Sequence, residues 1–359
     1  MSETNDNDLV IKPIKRNPQK FDTIELFSLI GKEKKYNLNN IEDIDNFTTD
    51  INKSLKENIT PTLLYGKRIE KTFAYVISSL GKCKIIKEED SGEIFTNENI
   101  MIPDYRIILV DNSQFLVEVK NFNQKRPDID YKISTKDFDK YIHYSKVMGV
   151  PLYFSIYWSK WRMWTLVSSS KFVKNGNKMS LSFTDATMNN KMSSLFGDYM
   201  IATTPPLKIR MYADKSEDRI TIGSNINFTI EKVEVYCNSI LIKDKEEQSI
   251  VWNLIMFGRW IETNEVIFEK DSNLVNYIDF IYLPDEYDDT QPFAHVGDAS
   301  EIITQQYFYS TSTKDGNIKS IYPFGFSNNY GTNIKMPYTK KDLPLWIFYI
   351  SPKDDWYIV

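Results

Sequence analysis

The stretch Met101–Phe122, MIPDYRIILVDNSQFLVEVKNF, decides how the chain is read. Tyr105 to Val110 and Phe115 to Val119 are apolar runs, and Asp111, Asn112 and Ser113 between them are turn formers, so the stretch predicts two strands and a turn. Charge interrupts this pattern: Glu118 and Lys120 break the second run, and Asp104 follows Pro103 where the first begins. Charges rarely enter a protein interior unless they are paired or bound to a metal. Side chains alternate along a strand, so Glu118 and Lys120 share one face while Val117 and Val119 point the other way. Two carboxylates about a divalent cation, with an ammonium beside them, suit hydrolysis of a phosphodiester. The metal stabilises phosphoryl charge and acidifies a water, and Lys120 positions that water or neutralises the transition state.

Whether Asp104 reaches that face depends on register, because directly paired residues of an antiparallel hairpin share a face. Pairing Val110 with Phe115 places Asp104 and Glu118 on opposite faces. An odd-length turn, or a bulge between Asp104 and Ile108, brings them together. The expected pairing is Val110 with Leu116, which also makes Tyr105, Ile107, Leu109, Phe115, Val117 and Val119 one continuous apolar face.

Pro103-Asp104, thirteen residues, then Glu118-Val119-Lys120 resembles the PD-(D/E)XK signature of restriction-endonuclease-like nucleases. The resemblance runs from Pro61 to Val167. A helix is expected over Thr62–Leu80, opened by Pro61 and ended by Gly81, then a short strand over Lys84–Ile86 and a polar loop over Glu88–Asn99. After the hairpin come a polar loop to Lys132, a helix from Thr135 to Met148 capped by Ser134 and ended by Gly149, and strands over Leu152–Tyr157 and Arg162–Val167. That succession is the αβββαβ order of the resembled family. It implies an α/β fold with a restriction-endonuclease-like core around a mixed central sheet. It further implies a Mg2+- or Mn2+-dependent deoxyribonuclease, ligated by Asp104, Glu118 and the Val119 carbonyl, with Lys120 orienting the attacking water. Many such nucleases carry a glutamate on the helix before the hairpin, and Gly66-Lys67-Arg68-Ile69-Glu70 looks like that arrangement, with Glu70 assisting through the metal. Lys125 and Arg126 of the following loop, and Lys136 and Lys140 of the second helix, are the implied contacts to DNA phosphate. The competing reading is an inactive module that keeps the fold and binds nucleic acid or protein. The presence of Asp104, Glu118, Lys120 and Glu70 together argues against it.

A chain of 359 residues suggests about two domains. Residues 1–20 are polar and expected to be disordered, 21–202 form the nuclease-like domain with its core at 61–167, and Ala202 to Pro206 reads as a linker. Residues 207–359 read as a strand-rich α+β domain with helices at Glu246–Phe257 and after Asp298, where Asp298 and Glu301 form a capping-box pattern. Net charge is −5 and uneven: residues 1–200 carry 29 Lys and Arg against 26 Asp and Glu, while 201–359 carry 15 against 23. Within 121–178 the count is 11 against 4, a basic stretch directly after the motif that suits phosphate contacts. The acidic half is a poor DNA clamp and is expected to meet a protein partner, a second copy or the nuclease domain. Its acidic run Tyr282–Asp289 reads as a solvated loop, since Asp285, Asp288 and Asp289 match no calcium-loop spacing. His143 and His295 are the only histidines and Cys83 and Cys237 the only cysteines, which disfavours a His-rich zinc site or disulfide framework and leaves carboxylates for a harder cation. No run of eighteen apolar residues exists, the N-terminal MSETNDNDLV does not read as a secretory signal, and a cytoplasmic setting is expected. Trp158, Trp161 and Trp164 read as core or interface rather than as a stacking platform for bases.

Overall fold

The structure is a computed structural model that describes residues 11, 22–90, 94–222, 225–270, 272–284, 287–288, 290–324 and 330–353. The expectation for residues 1–20 therefore falls, Ile11 apart, outside the described residues, as does that for Asp285 and Asp289. Helices α1 (Asp22–Lys34) and α2 (Ile41–Asn58) form a pair in which the Phe27 ring meets Tyr36 and Phe47. Helix α3 (Pro61–Ser79) starts where its sequence dictates: the Thr60 hydroxyl accepts the Leu63 N–H at 3.2 Å and Pro61 fills the first turn. Strands β1 (Cys83–Glu88), β2 (Tyr105–Leu109), β3 (Gln114–Phe122) and β4 (Tyr131–Ser134), helix α4 (Thr135–Met148), then β5 (Leu152–Trp158) and β6 (Met163–Ser168) follow. Ser134 caps α4 by accepting the Asp137 N–H at 3.0 Å, and Gly149 closes it at a φ of 67°.

These strands build a five-stranded sheet in the order β1-β2-β3-β5-β6, antiparallel except for the parallel pair β3–β5. Both faces are covered, which explains the nearly unbroken apolar runs. Ile69, Phe73, Val76 and Ile77 of α3 pack with Tyr105, Ile107, Leu109, Phe115, Val117 and Val119 on one side. Phe138, Tyr141 and Tyr144 of α4 pack with Leu116, Phe154 and Ile156 on the other. Strand β3 continues three residues past Val119, because β5 pairs with it as far as Phe122 against Trp158.

The chain continues through β7 (Val173–Asn175), β8 (Lys178–Leu181), α5 (Phe183–Met188), α6 (Met192–Phe196), β9 (Met200–Thr203), β10 (Leu207–Ala213), β11 (Ile220–Ile222) and β12 (Asn225–Asn227). It ends with β13 (Ile230–Cys237), β14 (Ile240–Leu241), α7 (Lys245–Phe257), β15 (Ile261–Phe268), β16 (Val275–Leu283), β17 (Ala294–Asp298), α8 (Ala299–Thr311) and β18 (Leu345–Phe348). A second five-stranded sheet, β14-β13-β10-β16-β15, is wholly antiparallel.

The stretch 202–206 is not an exposed linker. Ala202 and Thr203 are buried in β9, the middle strand between β17 and β18, and the Thr203 hydroxyl donates to the Pro344 carbonyl at 2.7 Å. Helix α8 lies against α3 and β6: Ile303 joins the cluster around Phe73, and the Trp164 indole donates to Thr304 at 2.9 Å. Buried Arg68 of α3 donates to Thr311, Ser312 and the Phe308 carbonyl. The capping box at α8 does not form. Asp298 makes no side-chain cap, and Asp198 accepts the Ser300 N–H at 2.9 Å in its place, while Glu301 turns to Arg259 and Arg162.

Candidate active site where two strands part

In the β2–β3 hairpin Tyr105 pairs with Val117, Arg106 with Leu116 and Ile107 with Phe115. The expected partner of Leu116 was Val110, so the register is shifted by four residues. An even shift leaves every side chain on its expected face, and the six residues of the apolar face share one core cluster. The shift comes from a tight turn of three residues, Val110 to Asn112. The Leu109 N–H donates to the Ser113 carbonyl at 2.9 Å, and Asn112 sits in the left-handed region at a φ of 67°. Asparagine tolerates that conformation, and Asp111 fixes the turn by accepting the Ser113 N–H at 2.8 Å.

One step beyond the Tyr105–Val117 pair, Asp104 stands opposite Glu118. Here β2 has ended and the strands separate. The Asp104 carboxylate accepts the Val119 N–H at 2.7 Å, taking over a main-chain partner's role, while its carbonyl accepts the Glu89 N–H at 2.9 Å. Glu118 is 2% exposed, on the face covered by α4. One of its oxygens, Oε1, receives both the Lys120 ammonium and the Tyr141 hydroxyl, the latter at 2.6 Å. Lys120 is 34% exposed at its side chain, so it connects the buried carboxylate to solvent.

The electrostatics follow from this crowding. Burial, then the charges of Glu118 and Glu70, push the Asp104 carboxyl up to about 8. Burial works to lower the Lys120 ammonium, but the Glu118 carboxylate outweighs it and the net shift is upward. Burial and the same carboxylate raise the Tyr141 hydroxyl far above the ordinary phenol range, so it stays a donor.

Glu70 approaches from α3, on the other side of the sheet. Its carboxylate is held by Lys67 at 2.7 Å, and its carbonyl accepts the Tyr105 hydroxyl at 3.1 Å. The outer basic residues are more dispersed. Lys125, Arg126 and Lys136 are exposed and Lys140 is half-buried; Arg126 is ion-paired with Asp128. Arg106, by contrast, is tied to Glu89 together with Tyr144. Tyr141 and Lys67 are the participants that sequence reasoning missed. The signal for Tyr141 was present, since a tyrosine in a buried helix stripe needs a partner for its hydroxyl.

Among the described residues, no group of three or more His, Cys, Asp and Glu converges as a closed metal cage. The donors here suit a different kind of site. A magnesium-like cation takes one or two carboxylates and keeps several waters, and Asp104 and Glu118, at facing positions of the hairpin, would supply two, with the Val119 N–H bonded to Asp104. Burial first, and the Glu118 charge second, raise the Asp104 carboxyl, and a cation bound between the two carboxylates would relieve that second cause.

No family's sequence model matches the chain, and no curated protein matches it. Among solved structures, the chain is similar to Hjc, a Holliday junction resolvase of Archaeoglobus fulgidus, at 12% identity, over 37% of this chain and 100% of that one, with a TM-score of 0.30. Among the described residues no helix is long and apolar enough to cross a membrane.

Proposed function

We propose that the chain is a divalent-metal-dependent nuclease of the PD-(D/E)XK kind, with its restriction-endonuclease-like core at residues 61–167 and DNA as its substrate. One observation carries the reading: Asp104 and Glu118 stand at opposed positions where β2 and β3 part, with the Lys120 ammonium on Glu118. Asp104, Glu118 and the Val119 carbonyl would hold Mg2+ or Mn2+. When bound, the metal supplies Lewis acidity toward the phosphoryl oxygens and an acidified water. Lys120 steers that water and balances charge building on the phosphate, and its raised pKa keeps it a cation throughout. Tyr141 fixes the Glu118 carboxylate from below. Glu70 adds negative charge at the edge of the site and would assist by favouring a bound cation. Lys125, Arg126, Lys136 and Lys140 contact the DNA backbone. Residues 21–202 form the nuclease unit, and the acidic 207–359 part serves contact with a protein partner or a second copy. The preference for DNA rests on the family resemblance, and restriction, defence against mobile DNA and recombination or repair fit alike. Two buried free cysteines, Cys83 and Cys237, accord with a cytoplasmic setting.

The test is cleavage of plasmid and oligonucleotide DNA with Mg2+ or Mn2+. Cleavage is expected for the parent chain and lost in Glu118→Ala. A purified Glu118→Ala protein that still cuts would overturn the mechanism, and a parent chain that binds DNA but never cuts would make it an inactive module.

A further inference from the structure

A second concave site lies where the two halves of the chain meet. Arg162 in the β5–β6 turn, the last turn of α7, the end of α8 and the hairpin after α8 line an open cleft of about 570 Å³, a size suited to a small organic ligand. Its charged lining is Arg162, Lys314 and Lys319, with no carboxylate, although residues 201–359 are acidic as a whole. Asp315 stands in the same hairpin but outside the lining. Among the described residues neither lysine is ion-paired; Lys319 lies over the Phe324 ring at 5.1 Å.

The third cation is built in. Fully buried Glu301 receives two guanidinium groups, Arg259 at 2.9 Å and Arg162 at 3.1 Å. One carboxylate here faces two guanidinium groups, so this cluster of three side chains carries a positive surplus. Arg162 is therefore anchored from behind while its side chain, 34% exposed, lines the cleft. Its backbone lies in the left-handed region at a φ of 54°, uncommon for a residue other than glycine. Arg259 holds that turn by donating to the Trp161 carbonyl at 2.7 Å.

The lining is also aromatic, with Phe257, Phe308 and Tyr309. Tyr309 on α8 is 71% exposed and edge-on to Phe257, with ring centroids 6.1 Å apart. A large exposed ring in the last turn of α8, in a lining that holds three cations, has an unused flat face. Phosphate alone fills a fraction of this volume and leaves the rings unused. We propose that the cleft binds a nucleotide, its base stacked on Tyr309 and its phosphate between Arg162, Lys314 and Lys319. The inference is independent of the chemistry at Asp104 and Glu118, and it concerns one ligand chemistry from two sources, a free mononucleotide or a nucleotide within a single strand.

The test is calorimetric titration of the full-length chain, in metal-free buffer with chelator, using inorganic phosphate, deoxythymidine monophosphate and a tetrathymidine single strand. The mononucleotide is expected to bind more tightly than phosphate. Tyr309→Ala should weaken it roughly 5- to 150-fold, the range for loss of one base–aromatic stack. Lys314→Glu with Lys319→Glu should weaken both nucleotide and phosphate, with the unfolding midpoint unchanged. If the strand binds at least as tightly and is weakened by the same substitutions, the source is nucleic acid; if only the mononucleotide binds, it is the free nucleotide. No nucleotide binding, or binding no tighter than phosphate and unaffected by Tyr309→Ala, would overturn the proposal.

Discussion

Replacing Lys120 by alanine should cost far more stability than its partly exposed position implies. Glu118 is 2% exposed, and its carboxylate is held by two groups, the Lys120 ammonium and the Tyr141 hydroxyl. Lys120→Ala strands that carboxylate with one neutral donor. Breaking a buried ion pair by removing one partner costs about 3–5 kcal/mol. Lys120 is 34% exposed, so water reaches the gap and the loss should be about 3 kcal/mol, the low end of that range. Glu118→Gln keeps volume and an acceptor for Tyr141, and leaves Lys120 free to turn to solvent, so it should cost about 1 kcal/mol or less. Once Glu118 is neutral, removing Lys120 strands nothing, and the double variant should be about 3 kcal/mol more stable than the sum of the single losses predicts. Urea unfolding at pH 7 with chelator, followed by far-ultraviolet circular dichroism, measures all four proteins. A divalent cation supplies a second readout: it should stabilise Lys120→Ala more than the parent, because it restores positive charge beside Glu118. An additive cycle, or a Lys120→Ala protein within about 0.5 kcal/mol of the parent, would refute the reasoning.

In chelator, the Asp104 carboxyl at about 8 when folded, against 3.8 as its ordinary value, means that the folded state binds the extra proton. The associated stability is fully present below pH 4 and is lost as pH rises through 8; Asp104→Asn should lack this loss, and equal pH slopes from pH 6 to 9 for the two proteins would contradict it. Reversing Lys136 and Lys140 to Glu should lower the log–log salt slope of duplex binding by about 0.9 for each phosphate that is no longer neutralised, and an unchanged slope would leave both lysines as solvated surface. Arg68→Ala removes three hydrogen bonds between α3 and the end of α8 and should destabilise by about 2–4 kcal/mol, in one transition that involves both halves; two separated calorimetric peaks would show that the halves unfold independently.

What could be read from the sequence was local. The helices α3 and α4 were legible from Pro61, Ser134 and Gly149, because caps and stripes act within a turn or two. The two strands and the shared face of Glu118 and Lys120 followed from period-two alternation. The register was less legible, since it depended on Asn112 adopting a left-handed conformation that tightens the turn. The misread features were long-range. Thr203 sits in a polar, proline-flanked stretch, yet its hydroxyl is satisfied by Pro344, far along the chain. The Asp298 and Glu301 pattern has capping-box spacing, but Arg259 and Arg162 outcompete a local cap for Glu301, and Asp198 serves the helix N-terminus instead. Each of these outcomes depends on a partner that no local window contains.

The position of Asp104 joins the fold to the proposed chemistry. Where β2 ends, the Val119 N–H is buried and loses its strand partner, and the Asp104 carboxylate replaces it at 2.7 Å. Asp104 is therefore a structural acceptor as well as a proposed metal ligand. Asp104→Ala would orphan a buried N–H at a cost of about 1–3 kcal/mol, so lost cleavage in that variant could reflect a disturbed strand end. Asp104→Asn keeps a carbonyl oxygen for Val119 and removes only the charge, which separates the two roles. It should unfold at least as late as the parent above pH 8 and fail to cut. An Asp104→Asn protein that cuts at the parent's rate would place the cation elsewhere, because the geometry then leaves Glu118 as the one carboxylate on that face of the hairpin.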